Sequence, residues 1–251
     1  ITELTVRLHP LPEAVSSATC AFPDVASAVR TVIQTIQLGV PVARIELLDA
    51  LTVQAVNRYS KTTLRESPML FFEFHGSPTG VEEQARTVQD IARDNGGQDF
   101  EWATRPEDRT RLWQARHDVL FASLNLLPGC RGISTDVCVP ISRLAEAIAG
   151  TQQDIAQSGL IAPIVGHVGD GNFHVVILTT PDDPAQVHAS EELGRRIVER
   201  ALALDGTCTG EHGIGIGKRD FLLAEHGDAV AVMASLKATL DPLNLLNPGK
   251  V

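Results

Sequence analysis

The chain has 251 residues, a formal net charge of −10 at pH 7 and a pI of about 5.2. An apolar fraction of 43% and a charged fraction of 21% are ordinary for a folded globular protein. Because the net charge is acidic, we expect no nucleic-acid partner. Because no apolar run is long enough to span a bilayer, we expect no transmembrane segment.

The first half of the chain predicts a strand–helix–strand pattern that occurs twice. Strands are predicted at residues 1–9, 14–22, 42–49, 68–76 and 99–104, and helices at residues 25–38 and 80–95. Asp24 is a typical N-cap for the first helix, and Gly39 a typical stop. This pattern is typical of a ferredoxin-like split βαβ unit, an antiparallel sheet with helices packed on one face.

The second half of the chain continues with alternating helices and strands. Helices are predicted at residues 106–126, 142–158, 184–204 and 221–240, with strands at residues 132–140 and within 160–180. The sequence has no linker rich in proline, glycine and serine. We therefore expect a single α+β domain over residues 1–251, whose sheet continues through both halves.

Two glycine-rich loops carry the most unusual residues of the chain. The first, GHVGDGNFH, contains His167 and His174, and the second, TGEHGIGIGKRD, contains Glu211. Two imidazoles and a carboxylate are common ligands of a divalent cation, and three such ligands leave positions open for substrate or water. Alternatively, the glycines only build a hairpin turn and the histidines only form hydrogen bonds. The pattern alone leaves both interpretations open.

The second loop also has features of a phosphate-binding loop, since glycines let backbone N–H groups converge on an anion. A Walker motif requires a hydroxyl residue after its lysine, and here Arg219 follows Lys218. The nucleotide-binding interpretation is therefore disfavoured.

Both loops, with the terminal segment LDPLNLLNPGKV, resemble the C-terminal half of the FAD-linked oxidases of the vanillyl-alcohol-oxidase superfamily. Within that superfamily the chain is similar to the group of D-lactate dehydrogenases, glycolate oxidases and D-2-hydroxyglutarate dehydrogenases. Segments such as SPTGVEEQ and GISTDVCVPISRLAEAI are most similar to its animal mitochondrial D-lactate dehydrogenase branch. The resemblance covers essentially the whole chain.

The resemblance implies roles for five residues. His167 and His174 match the metal-binding histidines of the family, and Glu211 matches the glutamate that completes the set. His212 is similar to the residue proposed to accept the substrate hydroxyl proton. Arg116 stands where relatives bind the substrate carboxylate with an arginine. The expected metal is zinc or manganese, although the ligand types suit iron equally.

Other positions bear on the cofactor and the substrate. The resemblance implies that Asn172 orients a ligand and that Asn247 lies close to the flavin; both count as cofactor-binding candidates. Leu120 and Ser134 replace a hydroxyl residue and a lysine of the 2-hydroxyglutarate enzymes. Because both losses remove groups suited to a second carboxylate, a monocarboxylate substrate is favoured.

The resemblance implies the substrate- and metal-binding half of a flavin-dependent dehydrogenase that oxidises D-lactate or a related D-2-hydroxy acid. FAD would be bound mainly by an N-terminal domain outside these 251 residues, and residues 1–12 are expected to be that domain's tail. A mitochondrial location is implied as well, whereas the electron acceptor stays open. The alternative is a non-catalytic, ferredoxin-like module that binds a metal or a small ligand.

Overall fold

The computed structural model describes residues 2–250 and contains helices around one large sheet. The strands are β1 (Ala14–Ala21), β2 (Val42–Leu48), β3 (Met69–Gly76), β4 (Gln98–Ala103), β5 (Arg131–Ser134), β6 (Val137–Cys138), β7 (Ile164–Gly166) and β8 (Asn172–Thr179). The α-helices are α1 (Val25–Gln37), α2 (Ala50–Ser60), α3 (Pro78–Asp94), α4 (Pro106–His117), α5 (Val119–Leu124), α6 (Leu144–Ser158), α7 (Pro184–Ala203), α8 (Arg219–His226) and α9 (Ala229–Leu240).

The sheet has the strand order β4-β1-β3-β2-β7-β8-β5, and β6 pairs with β8 beside this path. The strand pairs are antiparallel, and the first four strands have the order of a ferredoxin-like unit, as predicted. The pairing of Leu47 with Gly166 and of Leu48 with Val165 joins β2 to β7. The sheet therefore runs through both halves of the chain.

Hydrophobic side chains form two clusters because successive residues of a strand point to opposite faces of the sheet. Phe72 and Phe74 pack in the larger cluster with α1, α3, α6 and α7. Phe71 packs in the smaller cluster with α2, α4 and α5. The main helical layer is thus where the sequence predicts it. The prediction that helices lie on one face alone is too narrow, because α2, α4 and α5 cover part of the other face.

Several predicted boundaries differ from the structure. The strand predicted at residues 1–9 is wrong for its described part, because residues 2–9 are exposed and pair with no strand among residues 2–250. The helix predicted at 106–126 divides at Asp118, and the helix predicted at 221–240 divides at Gly227, whose φ is 51°. Helix α2 lies between the strands predicted at residues 42–49 and 68–76, where the sequence analysis gives no helix; Asp49 caps it by accepting from the Thr52 N–H.

None of the described helices combines the length and the apolar character that crossing a membrane requires.

Candidate metal centre

The hairpin of β7 and β8 positions the first two candidate ligands. His167 directly follows β7, and His174 lies on β8 opposite Val165. The turn between them needs Gly171, whose φ is 78° and where a Cβ atom would stand 2.1 Å from the carbonyl oxygen of Val139. The glycine-rich turn is therefore a close-packed element that sets the separation of the two histidines.

The three predicted metal ligands lie together. Glu211 Oε1 is 3.5 Å from His167 Nε2 and 3.3 Å from His174 Nε2. One ligand atom from each residue lies within 4.8 Å of the other two. Two imidazoles and one carboxylate in this arrangement have the chemistry of a divalent-cation site with open positions.

Hydrogen bonds at the other ring nitrogen orient each histidine. His174 Nδ1 lies 3.0 Å from the carbonyl oxygen of Thr135, and His167 Nδ1 lies 2.7 Å from Glu46 Oε1. Carbonyl and ionised carboxylate oxygens only accept, so we assign a hydrogen to each Nδ1. In this tautomer each Nε2 atom carries a lone pair and lies 3.3–3.5 Å from Glu211 Oε1. Three electron-rich atoms then face one another, and a cation between them would remove the repulsion.

The two histidines differ in how strongly they hold a proton. The hydrogen bond to Glu46 raises the pKa of His167 above its ordinary value, despite partial burial. Burial lowers the pKa of His174, which outweighs the hydrogen bond to Thr135. His174 is therefore neutral at physiological pH, which is the form that can bind a metal.

His212 lies beside the three ligands. Its Nε2 atom is 3.4 Å from Glu211 Oε1, and its ring centroid is 5.3 Å from that of His174. More than half of its side chain is exposed. The predicted proton acceptor therefore borders the candidate metal centre on its solvent side.

Asp136 anchors the loop that carries Glu211 and His212. Its buried carboxylate accepts hydrogen bonds from the backbone N–H groups of Glu211 (3.1 Å) and His212 (2.9 Å). It also accepts from Thr209 Oγ1 and Asn172 Nδ2, at 3.0 Å each. Burial alone would raise the pKa of Asp136, but these hydrogen bonds outweigh it and hold the pKa well below 3.8. One ionised carboxylate thus joins the second loop to the sheet.

Arg116, the predicted substrate-binding arginine, reaches the same region from α4. Its Nε and Nη2 atoms donate to Glu46 Oε2 at 3.1 and 2.9 Å. The other oxygen of the same carboxylate contacts His167. Glu46 therefore connects the arginine with a candidate metal ligand.

The remaining predicted site residues lie in different surroundings. Asn172 is buried and donates to Asp136 and to the Val137 carbonyl, while its Oδ1 atom has no hydrogen-bond partner within residues 2–250. Asn247 is exposed on the C-terminal tail with a φ of 49°, and within residues 2–250 no hydrogen bond joins it to the histidine cluster. Its proximity to a flavin stays a prediction.

Two charged residues of the site, Glu46 and Asp136, were missed by the sequence reasoning. Both stand in predicted strands whose other residues are largely apolar, in RIELL and ISTDVCV. A carboxylate in such a strand is costly to bury unless it has partners. That mismatch was the available signal, and it pointed to a functional or organising role for each residue.

Comparison with known proteins relates the chain to one family. A family model described as FAD linked oxidases, C-terminal domain, matches residues 11–251. The chain is 52% identical over 252 residues to a "Probable D-lactate dehydrogenase, mitochondrial" of Danio rerio, covering all of this chain and 51% of that protein. It is 42% identical to a "D-lactate dehydrogenase [cytochrome], mitochondrial" of Arabidopsis thaliana, covering all of this chain and 44% of the relative.

A solved structure shares the fold. The 4-ethylphenol oxidase from Gulosibacter chungangensis, in its isoeugenol complex, superimposes with a TM-score of 0.71 at 16% identity. The match covers 97% of this chain and 55% of that one. The chain thus spans about half the length of the relatives it matches.

Replacing Asp136 with Asn should release the second loop. An amide offers one oxygen where the carboxylate offers two, so its NH2 group would face N–H or O–H donors. We expect the free energy of unfolding to fall by about 1–3 kcal/mol and the backbone amides of residues 209–212 to exchange faster with solvent. Hydrogen-exchange mass spectrometry and urea unfolding measure the two effects.

The matched control is Asp154→Asn. It removes the charge of a buried carboxylate and so weakens the ion pair with Arg200 that joins α6 to α7. It should destabilise the protein without changing exchange at residues 209–212. Equal exchange in that loop for Asp136→Asn and the unsubstituted protein would contradict the anchoring role. At neutral pH the Asp136 contribution is complete, and it should decline as the pH falls below about 3.8 toward the lowered pKa of the folded state.

Proposed function

The chain belongs to the FAD linked oxidases, and we propose that it is the substrate- and metal-binding half of a D-2-hydroxy-acid dehydrogenase acting on D-lactate. The observation that carries this proposal is the convergence of His167 Nε2, His174 Nε2 and Glu211 Oε1 beside His212 and Arg116. Two relatives whose matches cover the whole chain are named as D-lactate dehydrogenases, which supports the same activity.

His167, His174 and Glu211 would hold the metal ion. The donor set fits a divalent cation, because the two oriented Nε2 atoms and the carboxylate oxygen have no proton to share in the assigned tautomers. When bound, such a cation supplies positive charge beside the substrate hydroxyl, and FAD supplies the acceptor for the hydride. We propose zinc or manganese for this site.

Arg116 and His212 would act on the substrate itself. The guanidinium of Arg116 is permanently charged and planar, so it can hold a carboxylate in a fixed orientation. His212 would accept the hydroxyl proton at a ring nitrogen, while the hydrogen on the same carbon leaves as hydride. Holding both ends of the 2-hydroxy acid reduces the entropy cost of reaching the reactive geometry.

The proposed substrate class rests on Leu120 and Ser134, which stand where the 2-hydroxyglutarate enzymes carry a hydroxyl residue and a lysine. Leu120 is about half exposed on α5, and Ser134 ends β5 with its hydroxyl donating to the Thr135 carbonyl. Neither side chain offers a cationic group for a second carboxylate. This supports monocarboxylates such as lactate over dicarboxylates.

An FAD-binding domain of the same protein would cover the exposed apolar surface of α9. All twelve residues of α9 are at least partly exposed, and Val232, Leu236 and Leu240 are each more than half exposed. The relatives are about twice as long as this chain, which leaves room for such a part. We propose that residues 1–251 form the C-terminal domain, that residues 1–12 connect to the FAD-binding domain, and that Asn247 approaches the flavin.

We also propose a mitochondrial location for the whole protein, because the matched animal and plant relatives are named as mitochondrial.

Replacing His174 with Ala in the protein that includes its FAD-binding part should abolish both tight metal binding and turnover. The substitution removes one of three protein ligands, and a two-ligand site binds a divalent cation far more weakly. Elemental analysis of the purified protein and reduction of the flavin absorbance by D-lactate measure the two losses.

His188→Ala is the matched control, because His188 is exposed on α7 away from the cluster. It should leave metal content and turnover unchanged. A His174→Ala protein that lacks metal and still reduces its flavin at the normal rate would contradict the proposed function. Failure of the unsubstituted protein to reduce its flavin would favour the non-catalytic binding module.

Substrate preference provides an independent test. We expect kcat/KM to be higher for D-lactate and for D-2-hydroxy acids with aliphatic tails than for D-2-hydroxyglutarate. The physical reason is that neither Leu120 nor Ser134 supplies a positive charge to offset the loss of water from a second carboxylate. Steady-state kinetics with a series of acids measure this preference, and a strong preference for dicarboxylates would contradict it.

A further inference from the structure

Glu46 is a buried carboxylate on β2 that lies between His167 and Arg116. Its side chain is 6% exposed and projects from β2. Oε1 lies 2.7 Å from His167 Nδ1, and Oε2 accepts from Arg116 Nε and Nη2 at 3.1 and 2.9 Å. Each oxygen therefore serves a different residue, one after β7 and one on α4.

The cost of burying this carboxylate is offset by the two partners together. A buried acid with no partner is strongly unfavourable, and His167 and Arg116 supply three N–H donors between them. The Arg116 side chain is itself largely buried, at 14% exposure, and the ion pair with Glu46 offsets the cost of burying its charge. The three residues form a single connected unit.

We infer that Glu46 is a positioning residue that fixes both the metal-ligand tautomer of His167 and the orientation of the carboxylate-binding Arg116. An acceptor at Nδ1 keeps the His167 hydrogen there and leaves Nε2 free for a metal, as carboxylates do for metal-bound histidines elsewhere. The same Glu46 side chain accepts from Nε and Nη2 of Arg116, so the Nη1 group of the guanidinium stays available to a ligand. This inference rests on the proposed function for the role of Arg116.

The Glu46→Gln variant separates the two bonds, because an amide has one acceptor oxygen and one NH2 donor. If the oxygen faces His167, the NH2 group opposes the guanidinium and releases Arg116. If the oxygen faces Arg116, the NH2 group requires His167 Nδ1 to accept, which moves the ring hydrogen to Nε2 and blocks the metal position. Either rotamer therefore breaks one of the two functions.

Glu73 provides an unusually close control on the neighbouring strand. It is also buried, lies opposite Arg44 in the β2–β3 register, and is bonded to one arginine and one histidine. Arg44 Nη2 and His75 Nε2 each lie 2.9 Å from Glu73 Oε1. Neither partner belongs to the candidate metal centre. Glu73→Gln therefore imposes the same chemical change on a buried carboxylate, although its two partners, Arg44 and His75, are more exposed than Arg116.

The experiment compares Glu46→Gln, Glu46→Asp and Glu73→Gln in the protein that includes its FAD-binding part. Affinity for Zn²⁺ and for Mn²⁺ is measured by competition with a chelator in the absence of substrate, and KM and kcat are then measured with D-lactate. For Glu46→Gln we expect a fall of about 10–100-fold in metal affinity, a raised KM with a smaller change in kcat, or both. Glu73→Gln should change neither quantity.

The Glu46→Asp variant keeps the charge and is the alternative if Glu46→Gln does not fold; its shorter side chain cannot reach both partners, so it should show the same losses. Unchanged metal affinity and unchanged KM in a folded Glu46 variant would overturn the inference, as would equal losses in Glu73→Gln. These outcomes are distinct from failure of the proposed function. In that case His174→Ala itself would leave turnover intact, whatever the Glu46 variants do.

Discussion

The arrangement of this site depends on one electrostatic constraint, the approach of three electron-rich atoms to a common point. His167 Nε2 and His174 Nε2 lie 3.5 and 3.3 Å from Glu211 Oε1, and in the assigned tautomers each Nδ1–H donates to an acceptor oxygen. Bringing such atoms together is unfavourable unless positive charge lies between them. The fold imposes this geometry through close-packed backbone at Gly171 and Gly210, and this geometry is what supports the proposed cation site.

The sheet supplies the rigidity that this geometry requires. Because β2 pairs with β7, the strand that carries Glu46 lies directly beside the hairpin that carries the two histidines. The third ligand comes from a loop with no regular structure, and Asp136 compensates by accepting its backbone N–H groups. At Gly210 a Cβ atom would stand 1.9 Å from Asn172 Nδ2, so the loop also fits closely against the sheet. Two buried carboxylates thus orient the site: Glu46 contacts His167, and Asp136 holds the loop that carries Glu211.

Sequence reasoning predicted the parts of this molecule that depend on local patterns. Alternation and helical spacing gave the ferredoxin-like half, and the glycine-rich motifs gave His167, His174 and Glu211. It failed where long-range packing decides the outcome. Residues 2–9 alternate like a strand but have no neighbouring strand among the described residues. Helix α2 packs its apolar residues with Phe71 and Trp113 in the smaller cluster, on one face of the sheet.

Roles that depend on contacts between distant segments were the hardest to predict. Glu46 precedes His167 by 121 positions, so no local pattern could join them. The most direct test of the account is a crystal structure of the zinc-loaded protein, with an anomalous difference map at the zinc edge. We expect one peak about 2.0–2.2 Å from His167 Nε2, His174 Nε2 and a Glu211 carboxylate oxygen. A fully loaded protein whose zinc lies elsewhere, with these three side chains turned apart, would contradict it.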